Sequence, residues 1–299
     1  MTTPLCVPSG WVIIDKGCGV SSASVTHRVK RLFSVKAGHA GTLDPMATGI
    51  LPIALGKATP LIRFLLDHPK IYVFTVHWGV STTTDDAMGE PCAQSSFRPS
   101  SEDIKKILPL FTGWIEQTPP IYSALKISGV PAYRRARRGE IFSVPHRHIR
   151  IHSLTLLETS TEYACFSVMC GSGTYVRSLG RDMAKTLGTE GHITVLRRTH
   201  VGPFTENMAY PLDFFEKIEH KERMAYIMPS GEALGLVERV FVSEEQRKKL
   251  HHGETLPWKA EKEEKHMVAC YENDVLVALG HVHKGGLQPM RCFTYTVNI

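Results

Sequence analysis

The sequence predicts a protein of mixed helices and strands, with a large N-terminal domain and a small β-rich C-terminal one. Residues 70–79 carry aromatic or β-branched side chains at alternate positions, which is typical of a strand. Residues 21–33 instead carry apolar side chains at helical spacing, behind two serines that can cap a helix. Beyond about residue 230, short apolar segments are separated by glycines and charged residues. This change predicts a domain boundary there, with domains at 1–230 and 231–299.

The remaining elements are predicted from the same spacing rules and from capping and turn residues. In the first domain, strands are predicted at 11–15, 149–158, 163–170 and 192–201, and helices at 58–66, 132–138 and 178–187. A capped helix is also predicted from about residue 100, and Pro109 must end or kink it. In the second domain, the predicted strands are 236–242, 267–271, 275–279 and 290–295, with one helix at 243–250.

The composition excludes several classes of protein. With 42% hydrophobic and 21% charged residues, the 299-residue chain is expected to be soluble and to bury a full core. No segment approaches the ~18 consecutive apolar residues of a membrane helix, and residues 1–10 lack the features of a signal peptide. The seven scattered cysteines include no C-x-x-C pair, which indicates reduced thiols and a cytoplasmic protein. The histidine pairs at 146/148 and 281/283 lack further ligands at zinc-finger spacing, so no metal is expected.

The positive charge of the chain is concentrated in one segment. Residues 126–150 contain seven Lys or Arg and one acid, Glu140, an excess of six that equals the net charge of the whole protein. Such a concentration favours a polyanion such as nucleic acid as the partner. A solvated basic helix without a partner is the alternative. Four of the basic residues fall in the short helix predicted at 132–138: Arg134, Arg135, Arg137 and Arg138.

A glycine-rich loop places a single carboxylate, Asp44, before an apolar run. The loop reads Gly-His-Ala-Gly-Thr-Leu-Asp-Pro from Gly38 to Pro45 and continues to Pro52. Glycine permits backbone angles that other residues avoid, and Pro45 presses Asp44 toward extended backbone. A loop held in this way by a rigid strand is typical of a functional site. Taken alone, the pattern favours the alternative of a structural turn that Asp44 caps.

Together with three further motifs, this loop resembles the TruB family of tRNA pseudouridine synthases. The other motifs are the Thr-Pro-Pro-Ile-Tyr-Ser-Ala-Leu-Lys run at 118–126, Gly-x-Gly-Thr-Tyr-x-Arg at 171–177, and Leu-Arg-Arg-Thr at 196–199. The resemblance extends from Trp11 to about Phe204. The C-terminal domain is similar to the PUA-type RNA-binding module that many family members carry. The combination of four motifs is far more specific than any one of them.

The resemblance implies an α+β catalytic domain with a central, mostly antiparallel mixed sheet, followed by a PUA-like domain. Segment 126–150 matches the family's RNA-clasping insertion. The implied reaction isomerises uridine 55 in the T arm of tRNA to pseudouridine. The base is flipped out, its glycosidic bond is cleaved, and the sugar is rejoined to carbon 5. No metal or organic cofactor is implied, because the reaction is an isomerisation without a redox step. A monomer without an obligatory protein partner is expected.

The resemblance also assigns roles to residues of the catalytic machinery. Asp44 is implied as the nucleophile, and whether it attacks the ribose or the base stays open. Arg177 would keep this carboxylate charged and oriented. Tyr72 would stack on the flipped uracil and assist proton removal from carbon 5. Tyr175 and Leu196 would line the uracil pocket.

Other matching residues are implied to contact the RNA. His39 would fill the gap that the flipped base leaves in the stack. Lys16 matches a lysine that would contact a phosphate, although Lys-Gly here replaces the usual Lys-Pro of the family. The four arginines at 134, 135, 137 and 138 would contact phosphates rather than bases.

Three alternatives stand beside the stand-alone enzyme. One is an RNA-folding protein without catalysis, against which the intact Asp44, Tyr72 and Arg177 argue. The second is a guide-dependent synthase of the related ribonucleoprotein branch, which the absence of long Lys-rich tails disfavours. The third is an aspartate-nucleophile hydrolase acting on a small substrate. It leaves the localised basic segment unexplained.

Overall fold

The large sheet is the frame on which the N-terminal part of the chain is built. The computed structural model describes residues 8–258 and 266–293. Up to residue 211, the strands are β1 Gly10–Lys16, β2 Ala37–His39, β3 Thr48–Leu55, β4 Lys70–Trp78, β5 Val80–Thr82, β6 Pro91–Gln94, β7 Gly113–Gln117, β8 Lys126–Ile127, β9 Val130–Pro131, β10 Arg147–Thr159, β11 Tyr163–Cys170, β12 Gly191–Val201, β13 Phe204–Thr205 and β14 Tyr210–Pro211. Ten of them form one sheet in the order β14-β1-β3-β12-β4-β11-β10-β7, with β13 on β12 and β2 on β3. The pairs β1–β14 and β3–β12 are parallel and the others antiparallel, so the sheet is mixed and mostly antiparallel, as expected.

The described part of the chain contains eight α-helices. They are α1 Ser22–Phe33, α2 Ile62–Asp67, α3 Ser101–Ile107, α4 Ala132–Arg137, α5 Val176–Thr186, α6 Leu212–Lys217, α7 His220–Arg223 and α8 Glu244–His251. Helix α1 begins where the Ser21 hydroxyl accepts from the Ser24 amide, and it buries Val25, Val29 and Phe33. These side chains join Phe74, Val76 and Trp78 of β4 in the main core. None of the helices in the described part of the chain is both long and apolar enough to span a membrane.

A second sheet follows at the C-terminal end. Its strands are β15 Glu238–Phe241, β16 Leu256–Pro257, β17 His266–Glu272, β18 Val275–His283 and β19 Gly286–Cys292, in the order β15-β17-β18-β19-β16. Ala269, Tyr271 and Leu279 of this sheet pack in one apolar cluster with Trp11 and Phe204 of the first part. The Trp11 indole also donates to the carbonyl of Ser230 at 3.1 Å. The two sheets are thus joined by a shared core around the predicted boundary near residue 230.

The structure confirms the α+β class and most of the predicted elements, with some differences. The predicted helix 58–66 is a 3-10 helix over Gly56–Leu61 followed by α2, because Pro60 lacks the amide that a continuous helix needs. The predicted helix near residue 100 has the full capping box of Ser100 and Asp103, and it continues into a 3-10 turn at Pro109. The strand predicted at 290–295 is seen as Gly286–Cys292, and residues 294–295 lie outside the described part. Helices α6 and α7 were not predicted.

Candidate active site

The loop that carries Asp44 connects β2 to β3 and is fixed by hydrogen bonds from its surroundings. The Ser22 hydroxyl, at the start of α1, accepts from the Leu43 amide at 2.8 Å and donates to the Leu43 carbonyl at 2.9 Å. Within the loop, the Ala47 amide donates to the Asp44 carbonyl at 3.1 Å. The residue before the catalytic candidate is therefore held on both of its backbone groups, which fixes the direction of the Asp44 side chain.

Arg198 supports the same loop from beneath. It is 1% exposed, and it donates to the carbonyls of Ile50 at 2.9 Å and Gly41 at 3.0 Å. Gly49 has φ +100°, and a Cβ there would lie 2.2 Å from the Arg198 carbonyl oxygen. Glycine is thus required where β3 meets β12. Arg198 belongs to the Leu-Arg-Arg-Thr motif at 196–199, but nothing in the sequence shows that it is buried.

Asp44 and Arg177 form a two-pronged ion pair. Arg177 Nε donates to Asp44 Oδ2 at 2.8 Å, and Nη2 donates to Asp44 Oδ1 at 3.0 Å. The arginine side chain is 4% exposed and the aspartate 32%, so the carboxylate faces open space while its partner is buried. Arginine pairs of this geometry fix orientation as well as charge. The predicted pair is therefore assembled as expected, although its members are 133 residues apart in sequence.

The guanidinium of Arg177 is itself held by three further groups. Nη1 donates to the Thr84 carbonyl at 2.8 Å and Nη2 to the Tyr122 carbonyl at 3.0 Å. Asp86, which is 5% exposed, lies with Oδ2 3.6 Å from Nε. Asp86 is a site residue that the sequence analysis does not single out, because an aspartate in a polar loop gives no sign of burial beside Arg177.

A cavity of about 450 Å³ opens beside the Asp44 carboxylate. Four residues predicted for catalysis or base binding line it together: Asp44, Tyr72, Tyr175 and Leu196. Burial raises the pKa of the Tyr72 phenol, while the nearby Arg198 opposes the rise. Tyr72 therefore stays a neutral phenol at physiological pH. Gly171–Tyr175, Lys70, Arg147 and Cys170 also line this cavity.

Tyr175 is positioned by two residues that sequence reasoning did not single out. The buried Gln117 accepts from the Tyr175 amide at 2.8 Å and donates to the Tyr175 carbonyl at 3.1 Å. The Arg147 guanidinium lies 5.1 Å from the centroid of the Tyr175 ring, within the range of a cation–π contact. One wall of the cavity is thus formed by the Tyr175 ring, with the Arg147 guanidinium packed against it.

His39 is the last residue of β2 and leads directly into the Asp44 loop. Burial lowers its pKa, and the positive charge of Arg198 lowers it further. The imidazole is therefore neutral at physiological pH. Its Nδ1 atom is buried and has no hydrogen-bond partner among the described residues. A neutral, flat ring next to the Asp44 loop is compatible with the predicted stacking on bases.

Lys16, predicted to contact a phosphate, has a different environment. It is 1% exposed, and its ammonium donates to the carbonyls of Gly17 and Val20 at 2.9 Å and of Pro45 at 3.2 Å. Burial lowers the pKa of this lysine. An ammonium enclosed by three carbonyls supports the Asp44 loop from inside. This placement favours a structural role over contact with a phosphate.

The basic segment presents three of its four predicted arginines to solvent. Arg134, Arg137 and Arg138 are exposed on or beside α4. Arg135 is half-buried, donates to Glu140 Oε2 at 2.6 Å and lies over the Phe142 ring at 4.9 Å. Three arginines are therefore accessible to a polyanion, although Arg138 also lies 3.7 Å from Glu140 Oε1, and Arg135 stabilises the segment. Within the described ranges no group of His, Cys, Asp or Glu could hold a metal ion.

This fold is that of a pseudouridine synthase. A chain in a solved structure titled "Crystal Structure of a Cbf5-Nop10-Gar1 Complex" superposes with a TM-score of 0.72 at 25% identity, over 99% of this chain and 92% of that one. A family model described as "TruB family pseudouridylate synthase (N terminal domain)" matches residues 29–176, and "tRNA pseudouridylate synthase B C-terminal domain" matches residues 177–234.

Curated relatives extend the match over nearly the whole chain. A "tRNA pseudouridine synthase B" from Agrobacterium fabrum is 43% identical over 297 residues, covering 95% of this chain and 94% of the relative. A protein of the same name from Caulobacter vibrioides is 40% identical over 300 residues, covering 96% and 97%. The chain belongs to the TruB family of pseudouridylate synthases.

Proposed function

We propose that this enzyme converts uridine 55 in the T arm of tRNA to pseudouridine. The observation that carries the proposal is the Asp44 carboxylate, held by Arg177 at the wall of a cavity large enough for one flipped nucleoside. The curated relatives are named for action on tRNA, which supports the choice of substrate. The reacting uridine is stacked inside the RNA, so it must be extruded before Asp44 can reach it.

Asp44 acts as the nucleophile in this proposal. The guanidinium of Arg177 stabilises the carboxylate anion and leaves it half-open to the cavity. Attack on ribose carbon 1′ would release the base as an anion, and attack on base carbon 6 would give a covalent adduct. Both routes end with the sugar on carbon 5, the proton of carbon 5 removed and nitrogen 1 protonated, so that atoms and electrons balance.

The residues that line the cavity bind the base and assist the removal of the proton from its carbon 5. Tyr72 stacks on the uracil, and its phenol relays the proton of carbon 5: the hydroxyl oxygen accepts that proton while its own proton passes to water. The Tyr175 ring and the buried Leu196 side chain confine the base from other sides. Arg177 serves catalysis through Asp44, and the ring of His39 occupies the gap that the flipped base leaves in the RNA.

The basic segment at 126–150 clasps the RNA backbone. The exposed Arg134, Arg137 and Arg138 contact phosphates, with support from Arg135, and the shape of the T loop supplies the specificity. We assign the catalytic domain to 1–230 and a PUA-like RNA-binding domain to 231–299. The enzyme acts in the cytoplasm as a monomer, without an obligatory protein partner or cofactor.

The proposal is tested with a tRNA transcript tritiated at carbon 5 of its uracils. Pseudouridine formation releases this tritium to water. The expected result is release of one equivalent per tRNA, and loss of that release when the uridine at position 55 is replaced by cytidine. Release that persists on the cytidine-55 transcript would contradict the assignment of the position. Tight tRNA binding without release would favour an RNA-folding protein.

A further inference from the structure

Two cations are buried at the end of the cavity that bears Tyr72. Lys70 is 6% exposed and Arg198 is 1% exposed, and both line the cavity. Lys70 is two residues before Tyr72 on β4, so the two side chains point to the same face of the sheet. Its cross-strand neighbours are Cys170 on β11 and Val201 on β12. Neither cation had a role in the sequence interpretation.

The polar contacts of Lys70 are incomplete. Its ammonium donates to the Leu66 carbonyl and to the Ser172 hydroxyl, the latter at 3.4 Å. An ammonium has three N–H donors, and the described residues supply acceptors for two. In the described ranges neither Lys70 nor Arg198 forms an ion pair with a carboxylate. The thiol of Cys170 gives no compensating charge, because burial raises its pKa to about 11.

Uncompensated positive charge at such depth is unfavourable for the free protein. Burial, with the repulsion of Arg198, lowers the pKa of Lys70 to about 8. Retaining a lysine there costs stability unless a guest brings negative charge. Strongly perturbed groups in a cleft are typical of functional sites. The guest must reach a side chain that is almost closed to solvent.

We infer that Lys70 binds a carbonyl oxygen of the flipped uracil and stabilises the negative charge that develops on the base. This inference rests on the proposed function. Positions two apart on a strand are separated by about 7 Å, which is the scale of a pyrimidine ring and its substituents. A base stacked on Tyr72 can therefore extend an oxygen toward Lys70. A backbone phosphate stays with the sugar at the cavity mouth, so the base is the favoured guest.

Both chemical routes require such stabilisation. If Asp44 attacks ribose carbon 1′, the electron pair of the C1′–N1 bond leaves with the base and spreads over N1, O2 and O4. If Asp44 adds to base carbon 6, the displaced electron pair of the C5–C6 bond moves onto C5 and O4. In each case a ring oxygen gains negative charge before the new bond forms. A fixed, water-excluded donor at that oxygen lowers the barrier.

The test compares Lys70→Gln and Lys70→Arg with the wild type in single-turnover tritium release. We expect Lys70→Gln to slow the reaction about 100-fold at saturating enzyme, the effect of removing one such donor, with tRNA affinity nearly unchanged. Lys70→Arg keeps the charge and should recover most of the rate. Lys105→Gln, an equal charge change at an exposed site on α3, should match the wild type. Thermal unfolding of each variant identifies loss of fold.

The dependence of the reaction rate on pH distinguishes a lysine that acts in the reaction from a purely structural one. Lys70 acts only when protonated, so the wild-type rate at subsaturating enzyme should fall as pH rises through about 8. Lys70→Arg should lack this fall. The charged or titratable groups near Lys70 are Asp67 at the end of α2, His68 directly after it, Cys170 on β11, Arg198 on β12, and Tyr72 and Asp44 in the cavity.

Several outcomes would overturn the inference. A Lys70→Gln variant at the full single-turnover rate would exclude a role for Lys70 in the chemistry. A loss of tRNA affinity at an unchanged rate would make Lys70 a phosphate contact instead. A wild-type protein that releases no tritium would reject the proposed function itself, and the role of Lys70 with it. If the wild type and Lys70→Gln both release tritium at the full rate, only the role of Lys70 is rejected and the proposed function stands.

Discussion

Arg177 donates one hydrogen bond to each carboxylate oxygen of Asp44, at 2.8 and 3.0 Å, from a position that is almost fully buried. The carbonyls of Thr84 and Tyr122 hold the same guanidinium, so its orientation is set before any substrate arrives. Asp44 is consequently presented to the cavity as an oriented anion. The pair connects a loop near the N-terminus with the start of α5.

Replacing Arg177 with Lys should reduce turnover by at least 100-fold, because an ammonium cannot hold both oxygens and both carbonyls together. We also expect a loss of several kcal/mol in unfolding free energy from breaking a buried pair. Arg181→Lys is the matched control. Arg181 is on the same helix and pairs with Asp85 at 2.9 Å, without contact to Asp44. Equal losses of activity in the two variants, measured by tritium release, would contradict a specific role for Arg177.

Tyr72→Phe should bind tRNA as the wild type does and turn over more slowly. The phenylalanine ring still stacks on the base, but the hydroxyl that relays the proton of carbon 5 to water is lost. We expect a rate reduction of about 100-fold in single turnover. Tyr163→Phe, on the exposed end of β11, removes a phenol that donates to Glu158 and should leave the rate unchanged. A wild-type rate for Tyr72→Phe would limit Tyr72 to stacking.

Changing Arg134, Arg137 and Arg138 together to Gln should weaken tRNA binding and make it less sensitive to salt. Each lost phosphate contact lowers the slope of log affinity against log salt by about one, so the slope should fall by up to about three. The measurement is filter binding between low and moderate salt. A control triple of exposed lysines elsewhere, Lys105, Lys106 and Lys185 changed to Gln, carries the same charge loss. Equal slopes for the two triples would show that net charge alone matters.

Lys16→Met should destabilise the fold without changing the salt slope. The carbonyls of Gly17, Val20 and Pro45 lose their donor, which costs about 1–3 kcal/mol in unfolding free energy for the buried groups left unpaired. Turnover should fall as well, because Pro45 adjoins Asp44. Urea unfolding compares this variant with Lys30→Met, which changes an exposed lysine of α1. An unchanged stability with a reduced salt slope would restore the phosphate contact predicted for Lys16.

The predictable part of the fold was the part with strong periodicity. Strand β4 and helix α1 follow from side-chain spacing, since each buries one face against the main core. Helices α6 and α7 are short and lie in a segment of mixed aromatic and charged residues. Their packing depends on contacts with α1 such as Arg223 to the Leu32 carbonyl, which no local pattern reveals.

Site residues that belong to family motifs could be predicted from the sequence. Residues whose role depends on their burial could not. Asp44, Tyr72 and Arg177 were identified through the family resemblance, whereas spacing alone could not pair residues so distant in sequence. Lys16 and Lys70 look like ordinary surface lysines in the sequence. Both are buried because groups distant in sequence meet them only in the folded chain: the Pro45 carbonyl at Lys16 and the Ser172 hydroxyl at Lys70.

The most direct test of the account is tritium release from carbon-5-labelled tRNA by wild type and Asp44→Asn. Asparagine preserves the shape of the side chain and removes the charge and the nucleophile. The account predicts full release by the wild type, none above background by Asp44→Asn, and equal tRNA affinity for both. Release by Asp44→Asn at the wild-type rate would contradict the assignment of Asp44 as the nucleophile.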